Sequence, residues 1–432
     1  KNILFVDDNI FPQTLSVLKT RSAALGIELE IGRYSDFKFN AKCFGAILQY
    51  PAANGEVRDY RDYCEKAHQQ GILVAAYCDL LALAILTEPA AWGADIVTGS
   101  AQRFGLPMGF GGPTAGYMAT SDKFKRNLPG RIIGLSIDRL GKPAVRLALQ
   151  TREQHIKREK ATSNICTATA LMATMAGMFA VYHGPKGIKE IATDIYAYSH
   201  AVALMLKHCG YEISCDKFFD TIEIANADVE KIRTRALAAG FNFNYFEKGK
   251  IRISFDELSS QEEAFKIIEI FEAEKSVPYI DESPLFMKRE SDILTSEVFG
   301  KYHSETEMMR YIKKLERRDV SLTHSMIPLG SCTMKLNAAV EMMPLSWSEF
   351  GNVHPFAPSD QVEGTLQIIR EVEHDLATIT GFDGCSLQPN SGAAGEYAGL
   401  MTIRAYHHAH NESHRNIMII PTSAHGTNPA SA

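Results

Sequence analysis

Clustered cysteines are missing from this sequence. The eight that occur, Cys43, Cys64, Cys78, Cys166, Cys209, Cys215, Cys332 and Cys385, show no CxxC or CxxH spacing. That excludes a zinc framework or a disulfide scaffold, and the thiols read as reduced and mostly buried in an intracellular protein. There is no block of Lys and Arg. The 45 basic side chains are spread among 51 acidic ones, for a formal charge of −6, so a nucleic-acid partner and an anionic membrane surface are excluded. Nor is there an apolar run fit to cross a bilayer. The longest, Gly71–Leu86, is interrupted by Asp79, and a span needs about 20 apolar residues. No signal peptide opens the chain. What is present is ordinary for a globular protein, 45% hydrophobic and 22% charged over 432 residues, which allows roughly two or three domains.

The first 120 residues alternate strand and helix patterns. Ile3–Val6, Ile27–Ile31, Ala46–Leu48, Ile72–Tyr77, Ile96–Val97 and Gly116–Ala119 read as strands. Pro12–Leu25, closed by Gly26, and Val57–Gln69, closed by Gly71, read as helices, with a further helix over Ala82–Leu86. Strands separated by helices of this length predict a doubly wound, largely parallel sheet. From Asn164 the character changes. Asn164–Tyr182 is a small-residue apolar run that reads as a buried helix, followed by a second helix over Lys186–His208. Tyr211–Ser214, Thr221–Ile224, Asn242–Phe246 and Lys250–Phe255 are short strand patterns; Ala227–Ala239 and Gln261–Glu274 are helical. This predicts a small α+β unit. Pro278 to about Val320 is charged and mixed and reads as a linker carrying one helix.

Three places carry chemistry. The first is Gly93–Pro113, GADIVTGSAQRFGLPMGFGGP, a strand running into a turn rich in glycine. Glycines there let backbone approach a ligand closely, although such a turn is also common in α/β domains generally. Asp79 follows the Ile72–Tyr77 strand and reads as the cap of the next turn. The second is Asn390-Ser391-Gly392-Ala393-Ala394-Gly395-Glu396, which opens a helix running through Tyr397–Ala409. The N–H groups of a first helical turn, with the helix dipole, form an anion site. On the residues alone this turn reads equally as a plain N-cap. The third is Ser423-Ala424-His425-Gly426-Thr427-Asn428, after the strand pattern Ile417–Ile420. It lies where α/β sheets bind ligands, beyond the carboxyl end of a strand. His407, His410 and His414 fall on one helix face, but no carboxylate or cysteine completes a metal site, and none is assigned.

The sequence resembles the P-protein family of the glycine cleavage system, glycine decarboxylases built from two homologous halves. The resemblance rests on Gly93–Pro113 and on four further segments: THSMIPLGSCTMKLN (Thr323–Asn337), FGNVHPFAPSDQ (Phe350–Gln361), QPNSGAAGEYAGL (Gln388–Leu400) and MIIPTSAHGTNPASA (Met418–Ala432). It implies a fold type I pyridoxal-phosphate (PLP) transferase architecture: α/β, with a largely parallel doubly wound sheet and a small α+β domain. In the catalytic half of the family, Gly-Ala-Asp, seven residues and then a Schiff-base Lys precede the glycine turn. Counting seven residues from Asp95 lands on Arg103, whose delocalised, always protonated guanidinium cannot form an imine. This lobe is then the non-catalytic copy.

The resemblance further implies that Asn390, Ser391, Gly392 and Ala393 hold the PLP phosphate. His425 is the catalytic residue stacked on the pyridine ring, and Thr427, with Asn428, contacts cofactor or substrate. Ser331, Cys332 and Thr333 line the glycine pocket, with His324 and His354 near its mouth. A nucleophilic role for Cys332 has no His or Asn partner pattern behind it. The expected division is residues 1–150 as a partial large domain, 151–275 as its small domain, 276–320 as linker and 321–432 as the start of the catalytic half. The function implied is decarboxylation of glycine with transfer of the aminomethyl group to the lipoamide arm of the H-protein, by a homodimeric parent protein. A bacterial member would be cytoplasmic, the option taken here, and a eukaryotic one mitochondrial. These residues read as an internal segment whose Schiff-base lysine lies beyond Ala432, so that the segment alone is inactive. The alternatives are a non-catalytic subunit or a pseudoenzyme scaffold.

Overall fold

The strand patterns at the start of the chain assemble into one sheet. In a computed structural model these are β1 (Ile3–Asp7), β2 (Glu28–Gly32), β3 (Cys43–Tyr50), β4 (Leu73–Cys78), β5 (Ile96–Ser100) and β6 (Gly116–Thr120), in the order β2-β1-β3-β4-β5-β6. The pairs from β2 through β5 are parallel. The structure describes every residue except 162, 164–168, 247–248, 273–284, 321–324 and 327–337. The chain divides into two compact units. The first holds Lys1–Leu106, Thr114–Ala119 and Leu171–Ser321; the second holds Pro107–Pro113, Thr120–Ala170 and Leu322–Ala432.

In the first unit, helix α1 (Pro12–Leu25) starts on its proline and ends at Gly26 in the left-handed region, as expected. Helix α2 is shorter than its pattern and spans Arg61–Gln69. Val57 and Arg58 are withheld from it by distant partners. The Val57 N–H donates to the Lys217 carbonyl, and Arg58 donates to fully buried Asp7 at 2.8 Å. The predicted helix at Ala82–Leu86 is only a 3₁₀ turn, Ala82–Ala84. Residues Ala170–His208 form a long helix broken at Gly184, whose φ of 64° and ψ of −177° interrupt the ladder just before Pro185. The expected helix pair is thus one element with a break, and its predicted start at 164–168 lies outside the described residues.

The small sheet is antiparallel, in the order Asn244–Tyr245, Ile251–Ser254, Thr221–Ala225, Glu212–Ile213. It carries the helices Val229–Ala238 and Gln261–Ile270, the latter opened by a Ser260/Glu263 capping box. The larger apolar core runs from Leu48, Val74 and Trp92 through Ile188 and Ile195 of the long helix to Phe219, Ile222 and Ile251 of the small sheet. Among the described residues, the charged stretch after it holds the α-helix Glu305–Glu316.

The second unit is built from a β-hairpin, Ile132–Ile137 with Pro143–Leu149, and from helices Glu363–Thr380, Gly392–Ala409 and the short Thr427–Ser431. The hairpin was not anticipated. The strand expected at Ile417–Ile420 does not form, and Ile417 and Ile419 are exposed. A strand needs a neighbour to satisfy its backbone groups, and among the described residues none runs beside this segment. His425 therefore does not sit beyond the end of a strand. Among the described residues no helix is long and apolar enough to cross a membrane.

Candidate functional site

Arg103 follows β5 and reaches across the mouth of its lobe. Its Nη1 donates to Asp79, just past the end of β4, and to Asp220 at 2.6 Å. Its Nε lies 3.6 Å from Glu257, and its Nη2 donates to the Phe255 carbonyl at 3.4 Å. Burial opposes the charge on Arg103, but the three carboxylates outweigh that and raise its pKa. Burial also pushes the carboxyls of Asp220 and Glu257 up from their ordinary range, against the pull of Arg103. Asp79 does act as a cap, since its Oδ1 accepts from the Leu81 N–H at 2.8 Å. Its other oxygen belongs to Arg103. The guanidinium is fully engaged and non-nucleophilic, so these residues do not fit a covalently held PLP. Asp220 and Glu257 were missed in the sequence because they lie more than 100 positions from Arg103, one just before a strand and the other in a turn after one, with no local motif.

The turn before helix Gly392–Ala409 has the features an anion requires. Ser391 is the N-cap; its Oγ accepts from the Ala394 N–H at 3.1 Å, which leaves its own O–H proton to donate. Gly392 has no atom within 4 Å of the place a Cβ would take, so the entrance to the helix is open. An 18-residue helix stands behind it, with its positive dipole end at this turn. Asn390 is exposed and Ala393 buried. These residues fit a phosphate.

The His425 turn is fixed on one side and open on the other. Thr427 is 3% exposed, while His425 is exposed. The Thr427 N–H donates to His425 Nδ1 at 3.2 Å, and Thr427 Oγ1 lies 2.9 Å from the same nitrogen. With Nδ1 accepting, the neutral ring carries its hydrogen on Nε2. The short helix that begins at Thr427 packs against Gly392–Ala409, so the two predicted cofactor segments lie on neighbouring helices. Asn428 begins the second turn of contacts, its N–H donating to the His425 carbonyl at 3.1 Å.

The remaining candidates divide. Ser331, Cys332, Thr333 and His324 lie outside the described residues. His354 is brought beside the glycine-rich turn: the Phe110 N–H donates to the Val353 carbonyl at 2.9 Å, and a Cβ on Gly111 would lie 3.3 Å from Pro355. Burial lowers the pKa of His354. His407 pairs with Glu412 at 2.8 Å and His410 with the Tyr406 carbonyl at 2.8 Å. Among the described residues no group of three or more His, Cys, Asp or Glu side chains could hold a metal ion.

Comparison with known proteins places this geometry in context. Residues 1–271 match the family model described as the glycine cleavage system P-protein. A glycine dehydrogenase (decarboxylating) of Bacteroides thetaiotaomicron is 53% identical over 442 aligned positions, covering 100% of this chain and 47% of that protein. One from Nostoc punctiforme is 51% identical, covering 100% of this chain and 46% of that protein. The chain thus spans about half the length of the curated relatives it matches. Among solved structures, an inhibitor-bound glycine decarboxylase (P-protein) of the glycine cleavage system is 31% identical. It superposes with a TM-score of 0.58 over 62% of this chain and 65% of that one. The α/β architecture is the fold type I arrangement expected from the resemblance.

Proposed function

This chain belongs to the glycine cleavage system P-protein family, and from that premise we propose that it is part of a PLP-dependent glycine dehydrogenase (decarboxylating). The whole protein removes the carboxyl group of glycine as CO2 and passes the aminomethyl group to the lipoyl arm of an H-protein. The observation that carries this reading is 53% identity to a glycine dehydrogenase (decarboxylating) in an alignment that covers the entire chain. The bacterial relatives favour a cytoplasmic over a mitochondrial home, and the working form of the whole protein is a homodimer.

In this reading Ser391 and Gly392 bind the cofactor phosphate, with Asn390 and Ala393 flanking it. Ser391 donates its hydroxyl hydrogen while the helix dipole offsets the phosphate charge. His425 orients the ring by lying against its face. Thr427 keeps His425 Nδ1 as an acceptor, so the Nε2 hydrogen is held at a defined place near the reacting atoms. Ser331, Cys332 and Thr333 line the glycine pocket. When bound, PLP supplies an acceptor for the electron pair left as CO2 departs. Arg103 takes no part in the chemistry and acts as an ionic crosslink in its own lobe.

The test uses the full-length protein with PLP and lipoylated H-protein. Exchange of glycine's carboxyl carbon with labelled bicarbonate is the expected result. Absence of exchange in a folded, PLP-loaded protein overturns the reading in favour of a pseudoenzyme scaffold. Residues 1–432 alone are expected to give no exchange, because the Schiff-base lysine that the family carries in its catalytic half is not among them and the matching position of the first lobe holds Arg103.

A further inference from the structure

We infer that Gln154 and Arg158 are positioning residues for the His425–Thr427 turn, a role that rests on the reading of that turn as part of the cofactor site. Gln154 opens the short helix Gln154–Lys157 and is 2% exposed. A Cβ on Gly426 would lie 2.3 Å from the Gln154 carbonyl oxygen and 2.7 Å from its Oε1. Gly426 has an ordinary helical φ of −59°, so glycine is required here by the close approach and not by backbone conformation. Gly426 therefore lies directly against Gln154.

Arg158 supplies a second anchor. Its Nη1 donates to the Ala424 carbonyl at 3.0 Å, and its own backbone adopts φ of 50°, a conformation uncommon for a side chain of this size. The segment is itself tied down: Arg152 donates through Nη2 to the Gly130 carbonyl at 3.1 Å and through Nε to that of Leu128. Ala424 and Gly426, the neighbours of His425 on both sides, are therefore both held by residues 154–158. Buried Thr427 next in line holds the imidazole by Nδ1. The ring direction of His425 is set through this chain of contacts.

A further feature separates Gln154 from ordinary packing. Its Oε1 is buried with no hydrogen-bond partner, an arrangement that native cores avoid unless another demand holds the group in place. Support of Gly426 is that demand. Sequence reading gave no hint of it, since 154 and 426 are far apart in the chain.

The experiment compares Arg158→Met, Gln154→Ala, Arg158→Lys and His425→Ala in the full-length protein. The readouts are the visible circular-dichroism band of bound PLP and the PLP dissociation constant. Arg158 is only partly buried, so its variants are the ones expected to fold, with far-UV dichroism as the check. Arg158→Met and Gln154→Ala are expected to weaken the visible band as His425→Ala does. Arg158→Met should also raise the dissociation constant about tenfold, the scale of one lost hydrogen bond to a charged group, and Gln154→Ala, which loses only the Oε1 packing against Gly426, should raise it less. Arg158→Lys, which keeps a donor for the Ala424 carbonyl, restores most of the band. If His425→Ala changes the band while folded Arg158→Met leaves it intact, the positioning role is overturned and the cofactor reading stands. If His425→Ala itself leaves the band unchanged, the cofactor reading falls and the positioning role with it.

Discussion

Arg103 donates through Nη1 to Asp220 at 2.6 Å, across 117 positions of sequence. Asp220 leads into an inner strand of the small sheet, and Arg103 follows the last parallel-paired strand of the large one. The bond therefore crosslinks the two sheets of the first unit. The carboxylates of Asp79, Asp220 and Glu257 surround a permanent cation there.

Removing the cation should leave Asp79, Asp220 and Glu257 uncompensated. Breaking a buried pair from one side costs about 3–5 kcal/mol. We expect Arg103→Met to lower stability on that scale, read as a drop in the thermal unfolding midpoint. Arg103→Lys keeps the charge but not the fork that joins Asp79, Asp220 and the Phe255 carbonyl, and should lose less. Equal stability of Arg103→Met and the native protein would refute the crosslink.

Burial raises the carboxyl of Glu257 above its ordinary value of 4.5. An acid raised on folding binds more protons in the folded state. It stabilises fully below the unfolded pKa, and that contribution is lost as pH rises through the folded one. Glu257→Gln has no such loss. The unfolding midpoint of the variant should therefore gain on that of the native protein as pH climbs from about 4.5. Asp220 is raised in the same direction but is common to both proteins. A difference that stays constant with pH would contradict the assignment.

Gly55 joins the loop after β3 to the small sheet. Its φ is 89°, and a Cβ there would lie 1.9 Å from the Thr221 carbonyl oxygen. Gly55→Ala adds left-handed strain of roughly 1–2 kcal/mol to a backbone clash that only displacement of Thr221 relieves. Thr221 neighbours Asp220, so the variant should also loosen the Arg103 crosslink. Its effect combined with Arg103→Met should fall short of the sum of the two, measured by a double-mutant cycle.

Local chemistry was legible and distant chemistry was not. Pro12, Gly26, Ser260 and Ser391 each announce a helix end through contacts within a few residues, and each does so in the structure. The hairpin at 132–149 is a local feature too, since its residues alternate around a turn where Asp138 accepts from the Leu140 and Lys142 N–H groups. Val57–Tyr60 looked helical because nothing nearby reveals that Arg58 is claimed by Asp7, 51 positions away. Ile417–Ile420 has strand composition, but strand formation depends on a neighbour that composition cannot report. At the candidate site, Ser391 and His425 stood out by motif. Gln154, Asp220 and Glu257 acquire their roles only through tertiary contact.

The phosphate and plain N-cap readings of Ser391 separate under one substitution. Asp is as good an N-cap as Ser, and its charge favours a helix N-terminus. Ser391→Asp should therefore leave the helix intact or slightly stabilised, whereas Ser391→Ala loses the bond to the Ala394 N–H and about 1 kcal/mol. A phosphate at this turn would meet the new carboxylate as a like charge, in a place where Gly392 lets the ligand come close to the backbone. PLP affinity of the full-length protein, followed by its visible absorbance, should then fall further for Ser391→Asp than for Ser391→Ala, although the thermal midpoint ranks them the other way. If PLP affinity instead follows thermal stability across the pair, Ser391 is a cap alone and the phosphate belongs elsewhere.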